Sequence, residues 1–246
     1  MSRFELTNHH HEKTIPQRQR QAVGAVAVKN ATEKIRRAGE DILVRRLLRS
    51  QGFEVRHLTE PDDIRKALIL EQQIWHEKNY GDLADYEKYL PQSRVFAAFD
   101  GDKCIGMNRL FAGTPQVPPF LTEMPIDDSA IKQKLIEGGR NYEVEEFGTI
   151  GVIRELRGNS RVFLDICRLN YRDATARGIQ TWGIIMEPER VRTWNDRLGF
   201  TFRQIGPAVD YQGGDCAAHV MDFGEVRRRM SSTKPELYDW FVNQPL

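Results

Sequence analysis

The residues best suited to chemistry lie in one stretch of the chain, Glu146–Arg161, where an acid is followed by an arginine-glycine loop. The pattern predicts a β-strand over 142–152, a loop that begins at Arg157 and a helix over 160–178. Backbone N–H groups at such a helix N-terminus attract anions, and the arginines add positive charge. The loop therefore predicts a phosphate site, with a plain connection whose arginines face solvent as the alternative. The residues of this predicted site are Arg157, Gly158, Asn159, Ser160 and Arg161.

Three acids in the same strand could act as a general base that removes a proton from a substrate. Alternation along a strand places Glu143 and Glu145 on one face and Glu146 on the other. Neighbouring carboxylates raise one another's pKa, which suits a group that must accept a proton near neutral pH. The competing interpretation is a charged strand edge that faces solvent.

Arg109 lies in a segment with the pattern of a central strand, which a folded sheet would bury. A buried guanidinium needs an anionic partner. The candidate partners in the sequence are Asp82, Asp85 and Glu146. A buried ion network of this kind would serve either the architecture of the protein or the orientation of a substrate.

The elements that must position these residues alternate between strands and helices. The strands Arg94–Phe99 and Lys103–Phe111 form a hairpin around the turn dipeptide Asp100-Gly101. A helix begins at Pro61 and carries an apolar stripe that includes Trp75. A strand meander followed by a β-α-β crossover predicts an α/β fold, with a mixed, mostly antiparallel sheet flanked by helices. Further strands are predicted at 53–58, 181–186, 200–205 and 215–223, further helices at 187–198 and 235–242, and a proline-rich loop at 113–128.

The composition excludes several other classes of protein. Of the 246 residues, 40% are apolar and 29% are charged, which is enough apolar surface for a packed core. No apolar run approaches the ~18 residues that span a bilayer, and the N-terminus lacks the apolar segment of a secretory signal. The three cysteines are widely spaced and are typical of reduced thiols. We therefore expect a cytoplasmic protein without a membrane span and without a metal centre.

The formal net charge of +1 hides an asymmetry along the chain. Residues 13–50 carry a charge of +7 and have the pattern of one or two amphipathic helices, whereas residues 51–246 carry −5. We predict a basic helical extension over 1–50 and one larger domain over 51–246. The extension could steer an acidic protein partner, contact nucleic acid or anionic lipid, or pack on the body or on a second subunit in a homodimer. The nearly balanced charge of the whole chain argues against nucleic acid as its main partner.

Four motifs of the sequence occur together, and they are Arg65-x3-Ile69-x5-Trp75, Asp82-x2-Asp85, Gly106-x2-Arg109-Leu-Phe-x2-Thr114 and Glu146-Phe-Gly-Thr-Ile-Gly-Val152. They resemble one branch of the GNAT superfamily of N-acyltransferases, the branch of the acyl-homoserine-lactone (autoinducer) synthases and the N-acyl amino acid synthases. The resemblance covers roughly residues 53–223 and rests mainly on the last two motifs. The loop at Arg157 also resembles the acyl-CoA phosphate loop of the superfamily, with Ser160 and Val162 at two glycine positions.

The resemblance implies that an amine attacks the carbonyl of a thioester, without a covalent enzyme intermediate. Glu146 would remove the amine proton, with Arg109 and Glu143 as further catalytic candidates. A bulge in their strand is implied, which would open a gap for the pantetheine arm. The oxyanion would be stabilised by the backbone N–H groups of Ile150, Gly151 and Val152. The implied substrate-binding residues are Arg65, Trp75, Asp82, Asp85 and Thr149.

The resemblance also implies the co-substrates. The donor would be the acyl-phosphopantetheine of an acyl carrier protein, or acyl-CoA. The acceptor would be a small amine, and no cofactor would be tightly bound. Thr149 stands where homoserine-lactone synthases have an arginine. This difference favours N-acylation of an amino acid or related amine by a medium- or long-chain acyl group. The alternatives are an acyl-homoserine-lactone synthase, an acetyl-CoA-dependent N-acetyltransferase and a non-catalytic GNAT-like binding module.

Overall fold

A computed structural model describes residues 52–80, 92–112, 120–141, 143–157 and 160–244. The predicted basic extension over 1–50 lies outside the described residues, so its helices stay a prediction. The pairs Asp82/Asp85 and Gly158/Asn159 also lie outside them.

The described strands form one eight-stranded sheet. The strand order is β1-β2-β3-β4-β5-β8-β6, and β7 pairs with β8. Only the β4–β5 pair is parallel, and all other neighbouring pairs in the described sheet are antiparallel. The predicted mixed, mostly antiparallel sheet is confirmed. The strands are β1 (Glu54–His57), β2 (Ser93–Asp100), β3 (Lys103–Ala112), β4 (Val144–Val152), β5 (Thr181–Met186), β6 (Arg203–Gln204), β7 (Val209–Tyr211) and β8 (Gly214–Asp222).

Helices cover both faces of this sheet. The described helices are α1 (Pro61–Lys78), α2 (Ser129–Arg140), α3 (Ser160–Ala176), α4 (Pro188–Leu198), α5 (Phe223–Thr233) and α6 (Pro235–Tyr238). Shorter helical turns are found at Phe120–Glu123, Arg154–Leu156 and Asp239–Asn243. Two of the helices, α2 and α5, have no counterpart in the sequence prediction. None of the helices in the described ranges is long and apolar enough to cross a membrane.

The helix α1 packs on one face of the sheet, which we call the α1 face. Proline in its first turn and the acids Asp62 and Asp63 favour its N-terminus, and Asn79 ends it in the left-handed conformation with φ 53°. Its apolar side chains, such as Leu70 and Ile74, join a core cluster with Met107 of β3. This packing fixes α1 across β3 and β4.

The helix α3 packs on the opposite face, which we call the α3 face. A Cβ at Gly106 of β3 would lie 2.7 Å from Val162 and 3.1 Å from Ile166, so glycine allows α3 to approach the sheet closely. Trp182 of β5 is fully buried on this face and contacts Phe147 and Tyr171 edge to face. The central strands are thus held between two helices.

The pairing of β3 with β4 changes register at one place. Asn108 pairs with Ile150 and Leu110 pairs with Phe147, so β4 has one residue more than β3 between these pairs. Gly148 and Thr149 therefore lie opposite the single residue Arg109. This is the β-bulge that the family resemblance implied.

The strand β4 also leaves β5 at the bulge. Val144–Phe147 pair in parallel with Thr181–Ile184, and the pairing ends there. Beyond this point β4 continues along β3 to Val152, while β5 continues along β8 to Met186. Within the described residues a gap thus opens between two strands that are neighbours at their other ends.

Candidate active site

Arg109 forms an ion pair with a residue that the sequence analysis did not select. The Nη2 atom of Arg109 lies 2.9 Å from Oε1 of Glu71, which projects from α1 onto the same face of the sheet. The two side chains are 3% and 2% exposed. Glu71 is therefore one partner of Arg109 that the sequence analysis did not name, and the proposed partners Asp82 and Asp85 lie outside the described residues.

Thr149 in the bulge connects the strand to α1 through Trp75. The indole Nε1–H of Trp75 donates a hydrogen bond of 3.0 Å to the hydroxyl oxygen of Thr149. Burial raises the pKa of Glu71, while the charge of Arg109 opposes that rise. Side chains from α1, β3 and β4 thus meet under the bulge.

Glu146 lies on the α1 face directly before the strands part. It is 3% exposed, and its Oε1 accepts a hydrogen bond of 2.5 Å from the backbone N–H of Leu121. An N–H donor at this distance stabilises the ionised carboxylate, the form that can accept a proton. A Cβ at Gly183 of β5 would lie 2.2 Å from the Leu121 side chain, so glycine lets the turn of Leu121 pack over Glu146.

The other two acids of this segment do not join Glu146. Glu145 is buried on the α3 face, where its carboxylate lies 2.5 Å from Arg177. Burial raises its pKa, and the charge of Arg177 opposes the shift. Glu143 precedes the first residue of β4 and is exposed. The strand is shorter than predicted at its N-terminus, so the structure does not place Glu143 in the cluster of Glu146 and Arg109.

The backbone N–H groups of β4 near the gap have two orientations. Ile153 donates to the carbonyl of Ile105, which marks a hydrogen-bonded pair at the end of the β3–β4 ladder. Hydrogen-bonded and non-hydrogen-bonded pairs alternate in an antiparallel ladder. With the observed register, Gly151 is bonded to β3, and the N–H groups of Ile150 and Val152 point away from β3. These two amides, rather than all three predicted ones, face the gap.

The predicted phosphate loop begins where β4 ends. Arg157 is partly exposed and forms an ion pair with Glu77 of α1, and Arg161 lies 2.5 Å from Asp165 one turn later in α3. The guanidinium of Arg161 also lies 4.9 Å from the ring of Trp240 near the C-terminus. Ser160 begins α3 as predicted. Both arginines therefore flank the loop, and each has an acidic neighbour.

The predicted substrate residues on α1 separate into two groups. Arg65 is on the exposed side of the helix, 3.3 Å from Asp62, and does not join the buried cluster. Trp75 is buried and packs with Phe111, and the half-buried Tyr80, Ile185 and Tyr211 complete an apolar patch around them. This patch joins α1 to the strands on both sides of the gap.

Cysteine chemistry is not favoured in the described part of the chain. Cys104, Cys167 and Cys216 are buried and form no disulfide. Burial raises the pKa of Cys104 and of Cys216 to about 11, so both thiols are protonated near neutral pH. Among the described residues, no group of three or more histidine, cysteine or acidic side chains could hold a metal ion.

Two residues of the cluster were missed by the sequence analysis. Glu71 follows Leu68 by three residues and precedes Trp75 by four, so it lies on the apolar stripe of α1, and this helical spacing was the signal for its burial. The Leu121 amide lies in a proline-rich segment that predicts a loop without further detail. Backbone donors of this kind leave no signature in side-chain patterns.

Comparison with known proteins identifies the fold. No protein-family model and no curated protein sequence matches the chain. Solved structures of GNAT-type acyltransferases do match, so the chain has a GNAT-like fold. Among them is FeeM, an N-acyl amino acid synthase from uncultured soil microbes, with a TM-score of 0.55 and 19% identity over 72% of this chain and 94% of that one.

Two further structures represent the neighbouring classes. The acyl-homoserine-lactone synthase LasI matches with a TM-score of 0.53 and 13% identity over 76% of this chain and 96% of its own. A solved structure from Lactobacillus plantarum that is described as an N-acetyltransferase matches with a TM-score of 0.50. The identity is 16% over 70% of this chain and 99% of that one. At these identities the likeness shows the fold, and the function must be argued from the site.

Proposed function

We propose that the chain is an N-acyltransferase that moves a medium- or long-chain fatty acyl group from the phosphopantetheine thioester of an acyl carrier protein to the amine of an amino acid or related small molecule. The observation that carries this proposal is the position of Glu146. Its buried carboxylate lies directly before the point at which β4 leaves β5. A gap between two strands suits an extended pantetheine arm, and a carboxylate beside it suits a base.

The reaction follows from these positions. The acceptor nitrogen attacks the thioester carbonyl, and Glu146, directly or through water, takes the proton that the nitrogen loses. The N–H groups of Ile150 and Val152 stabilise the oxyanion that develops. The C–N bond forms, the C–S bond breaks, and the pantetheine thiol leaves with a proton. Holding the amine and the thioester together in the gap supplies much of the acceleration.

The donor is proposed from the loop after β4. A helix N-terminus flanked by Arg157 and Arg161 suits a phosphodiester. A carrier-bound phosphopantetheine has a single phosphodiester and needs fewer donors than the pyrophosphate of CoA. The serine at position 160 and the valine at 162, in place of glycines, are consistent with the smaller demand. Acidic carrier proteins would also suit the +7 charge of residues 13–50.

The acceptor is proposed from the cluster under the bulge. FeeM is an N-acyl amino acid synthase and LasI is an acyl-homoserine-lactone synthase. In this chain Thr149 replaces the arginine that lactone synthases carry, and its hydroxyl oxygen accepts a hydrogen bond from Trp75. The replacement of that arginine by threonine favours the simpler reaction, which is N-acylation without lactone formation.

Mass spectrometry of lipid extracts from cells that overproduce the chain tests this function. We expect N-acyl amines that are absent from cells producing Glu146→Gln, and their masses would identify both the acyl chain and the acceptor. Purified chain with acyl carrier protein donors of several lengths should release thiol when the identified amine is added. If no new N-acyl amine forms with any amine tested, the proposal is wrong.

An acetyl-CoA-dependent N-acetyltransferase is the second candidate. It is favoured by the match to the N-acetyltransferase fold from Lactobacillus plantarum, nearly all of which is covered. The two candidates differ in the donor that they bind. Calorimetric titration with CoA and with phosphopantetheinylated carrier protein separates them, because the second candidate requires tight CoA binding and no affinity for the carrier.

A further inference from the structure

We propose that Asn108 and Asn170 are positioning residues, which hold the Thr149–Ile150 peptide of the β4 bulge in the orientation that acyl transfer needs. This inference rests on the proposed function. The side chains of Asn108 in β3 and Asn170 in α3 are both completely buried. The Oδ1 atom of Asn170 has no hydrogen-bond partner among the described residues. A buried amide pair with an unmet hydrogen bond costs stability, so its presence calls for another reason.

The hydrogen bonds of these two amides run in one direction, from α3 towards β4. The Nδ2 atom of Asn108 lies 2.8 Å from the carbonyl oxygen of Thr149. A carbonyl oxygen can only accept, so the atom of Asn108 that meets it must be the amide nitrogen. The Oδ1 atom of Asn108 is then the acceptor, and the Nδ2 group of Asn170 donates to it. The direction of the whole series follows from the one carbonyl at its end.

The carbonyl of Thr149 belongs to the same rigid peptide unit as the N–H of Ile150. The described chain contains no cis peptide bond, and in a planar trans peptide the C=O and the N–H point in opposite directions. A Thr149 carbonyl held by Asn108 therefore turns the Ile150 N–H towards the gap. The hydrogen bond to the carbonyl also polarises the peptide and strengthens its N–H as a donor. Asn108 thus acts on the amide that the proposed mechanism assigns to the oxyanion.

The bulge explains why a side chain is needed at this place. Gly148 and Thr149 lie opposite the single residue Arg109, so the regular ladder is interrupted between β3 and β4. The Nδ2 atom of Asn108 also makes a longer contact of 3.4 Å with the carbonyl oxygen of Arg109. One amide group therefore reaches a carbonyl on each strand of the bulge. An apolar side chain of the same size would fill the space and supply neither bond.

Variants of similar size test this role with little effect on packing. Asn108→Leu removes the amide at the bulge, and Asn170→Leu removes the donor behind it. We expect Asn108→Leu to lower kcat by about 10- to 100-fold, the scale of a misplaced catalytic group. The KM for the donor should stay within about 3-fold. Asn170→Leu should have a smaller effect on kcat, and the double variant should be no slower than Asn108→Leu, because Asn170 acts through Asn108.

A buried hydroxyl outside this network provides the control. Thr201→Val removes a buried polar group and keeps its shape, so its kcat should equal that of the wild type. Asn170→Leu leaves both strands unaltered and tests the network even if Asn108→Leu does not fold. Wild-type kcat in Asn108→Leu, or in Asn170→Leu where only that variant folds, would overturn the proposal. So would multiplied single losses in the double variant, or an equal loss in Thr201→Val.

A spectroscopic measurement separates this proposal from the proposed function. Labelling with carbonyl-¹³C threonine and ¹⁵N isoleucine selects the isoleucines that follow a threonine, and the sequence has two, Ile15 and Ile150. Thr14→Ser removes the first signal and so identifies that of Ile150. We expect Asn108→Leu to shift the Ile150 N–H signal, and Asn170→Leu to shift it less. An unmoved signal in Asn108→Leu refutes the network whatever the activity. A wild-type chain without turnover, in which the signal does shift, refutes the proposed function and leaves the network in place.

Discussion

The guanidinium of Arg109 and the carboxylate of Glu71 lie 2.9 Å apart, and both side chains are almost completely excluded from solvent. The pair joins β3 to α1 directly under the bulge of β4. The guanidinium also lies 5.2 Å from the ring centroid of Phe111, which packs with Trp75 in the apolar patch. One ion pair therefore connects the helix, the central strands and the wall of the gap.

Breaking this pair should be costly, whereas replacing both partners should cost less. Glu71→Leu or Arg109→Met alone breaks this buried ion pair, and we expect each to lower the free energy of unfolding by about 3–5 kcal/mol. The double variant removes both charges of the pair and should be more stable than either single variant. Urea denaturation of the three variants and the wild type measures these differences.

The exposed ion pair on the same helix provides the control. Arg65 lies 3.3 Å from Asp62, and their side chains are 70% and 84% exposed. Arg65→Ala should change the free energy of unfolding by no more than about 0.5 kcal/mol. For the buried pair, the double variant Glu71→Leu/Arg109→Met could instead lose as much stability as the two single variants together. That result would show that the two buried side chains are not coupled.

Gly148 should be intolerant of a side chain because of its position in the bulge. A Cβ there would lie 2.4 Å from the ring of Phe111 and 3.2 Å from the carbonyl oxygen of Arg109. We expect Gly148→Ala to destabilise the fold by about 1–3 kcal/mol and to reduce acyl transfer. Phe111→Leu in the same chain should recover part of both losses. Gly52→Ala is the control, since nothing lies within 4 Å of a Cβ at that position.

Much of the fold could be predicted from local patterns. The turn dipeptide Asp100-Gly101 predicted the β2–β3 hairpin, and the apolar run Thr181–Met186 predicted β5 with its observed bounds. The strand predicted at 200–205 is only Arg203–Gln204, because the Asn195 side chain, rather than a neighbouring strand, bonds the N–H and the carbonyl of Phe202. The helix α2 escaped prediction because its N-cap, Asp128, follows the proline-rich loop and two glycines stand near its end.

The candidate site was predictable in its residue types and less so in its pairings. Arg109 and Glu146 were selected from their strand positions and from the family resemblance, Thr149 from the resemblance alone, and the bulge places Thr149 opposite Arg109. The choice of Glu71 depends on which face of α1 meets the sheet, which is decided by packing over the whole helix. Glu143 lies outside the cluster of Glu146 and Arg109 because β4 begins after it, and the ends of strands are weakly encoded in sequence.

Stability should depend on pH through the buried His219. Burial lowers the pKa of His219 below its usual 6.5, with a smaller opposing effect from its bond to the Ala217 carbonyl. The unfolded chain then binds a proton at a pH where the folded chain does not, so stability is lost as pH falls below 6.5. We expect the urea concentration at the unfolding midpoint to decrease when the pH is lowered from 7.5 to 5.5. The decrease should be smaller in His219→Gln. The same fall in both proteins would mean that His219 is not responsible.

Thiol reagents should leave the folded chain unmodified. Burial raises the pKa of Cys104 and Cys216 to about 11 and that of Cys167 well above its usual value. Iodoacetamide at pH 7.5 should therefore add no mass to the native chain and leave acyl transfer intact. All three cysteines should react after denaturation in urea, as mass spectrometry would record. Loss of activity on a single alkylation would instead indicate a thiol in the reaction.

The acyl-transfer rate of Glu146→Gln, measured as thiol release from an acyl carrier protein donor, tests the central claim most directly. Glutamine keeps the size of the side chain and removes its ability to take a proton, so kcat should fall by about 10²- to 10⁴-fold. Binding of the donor should persist, and Glu143→Gln, altered at an exposed carboxylate three residues earlier, should retain the wild-type rate. A wild-type rate in Glu146→Gln would contradict the account.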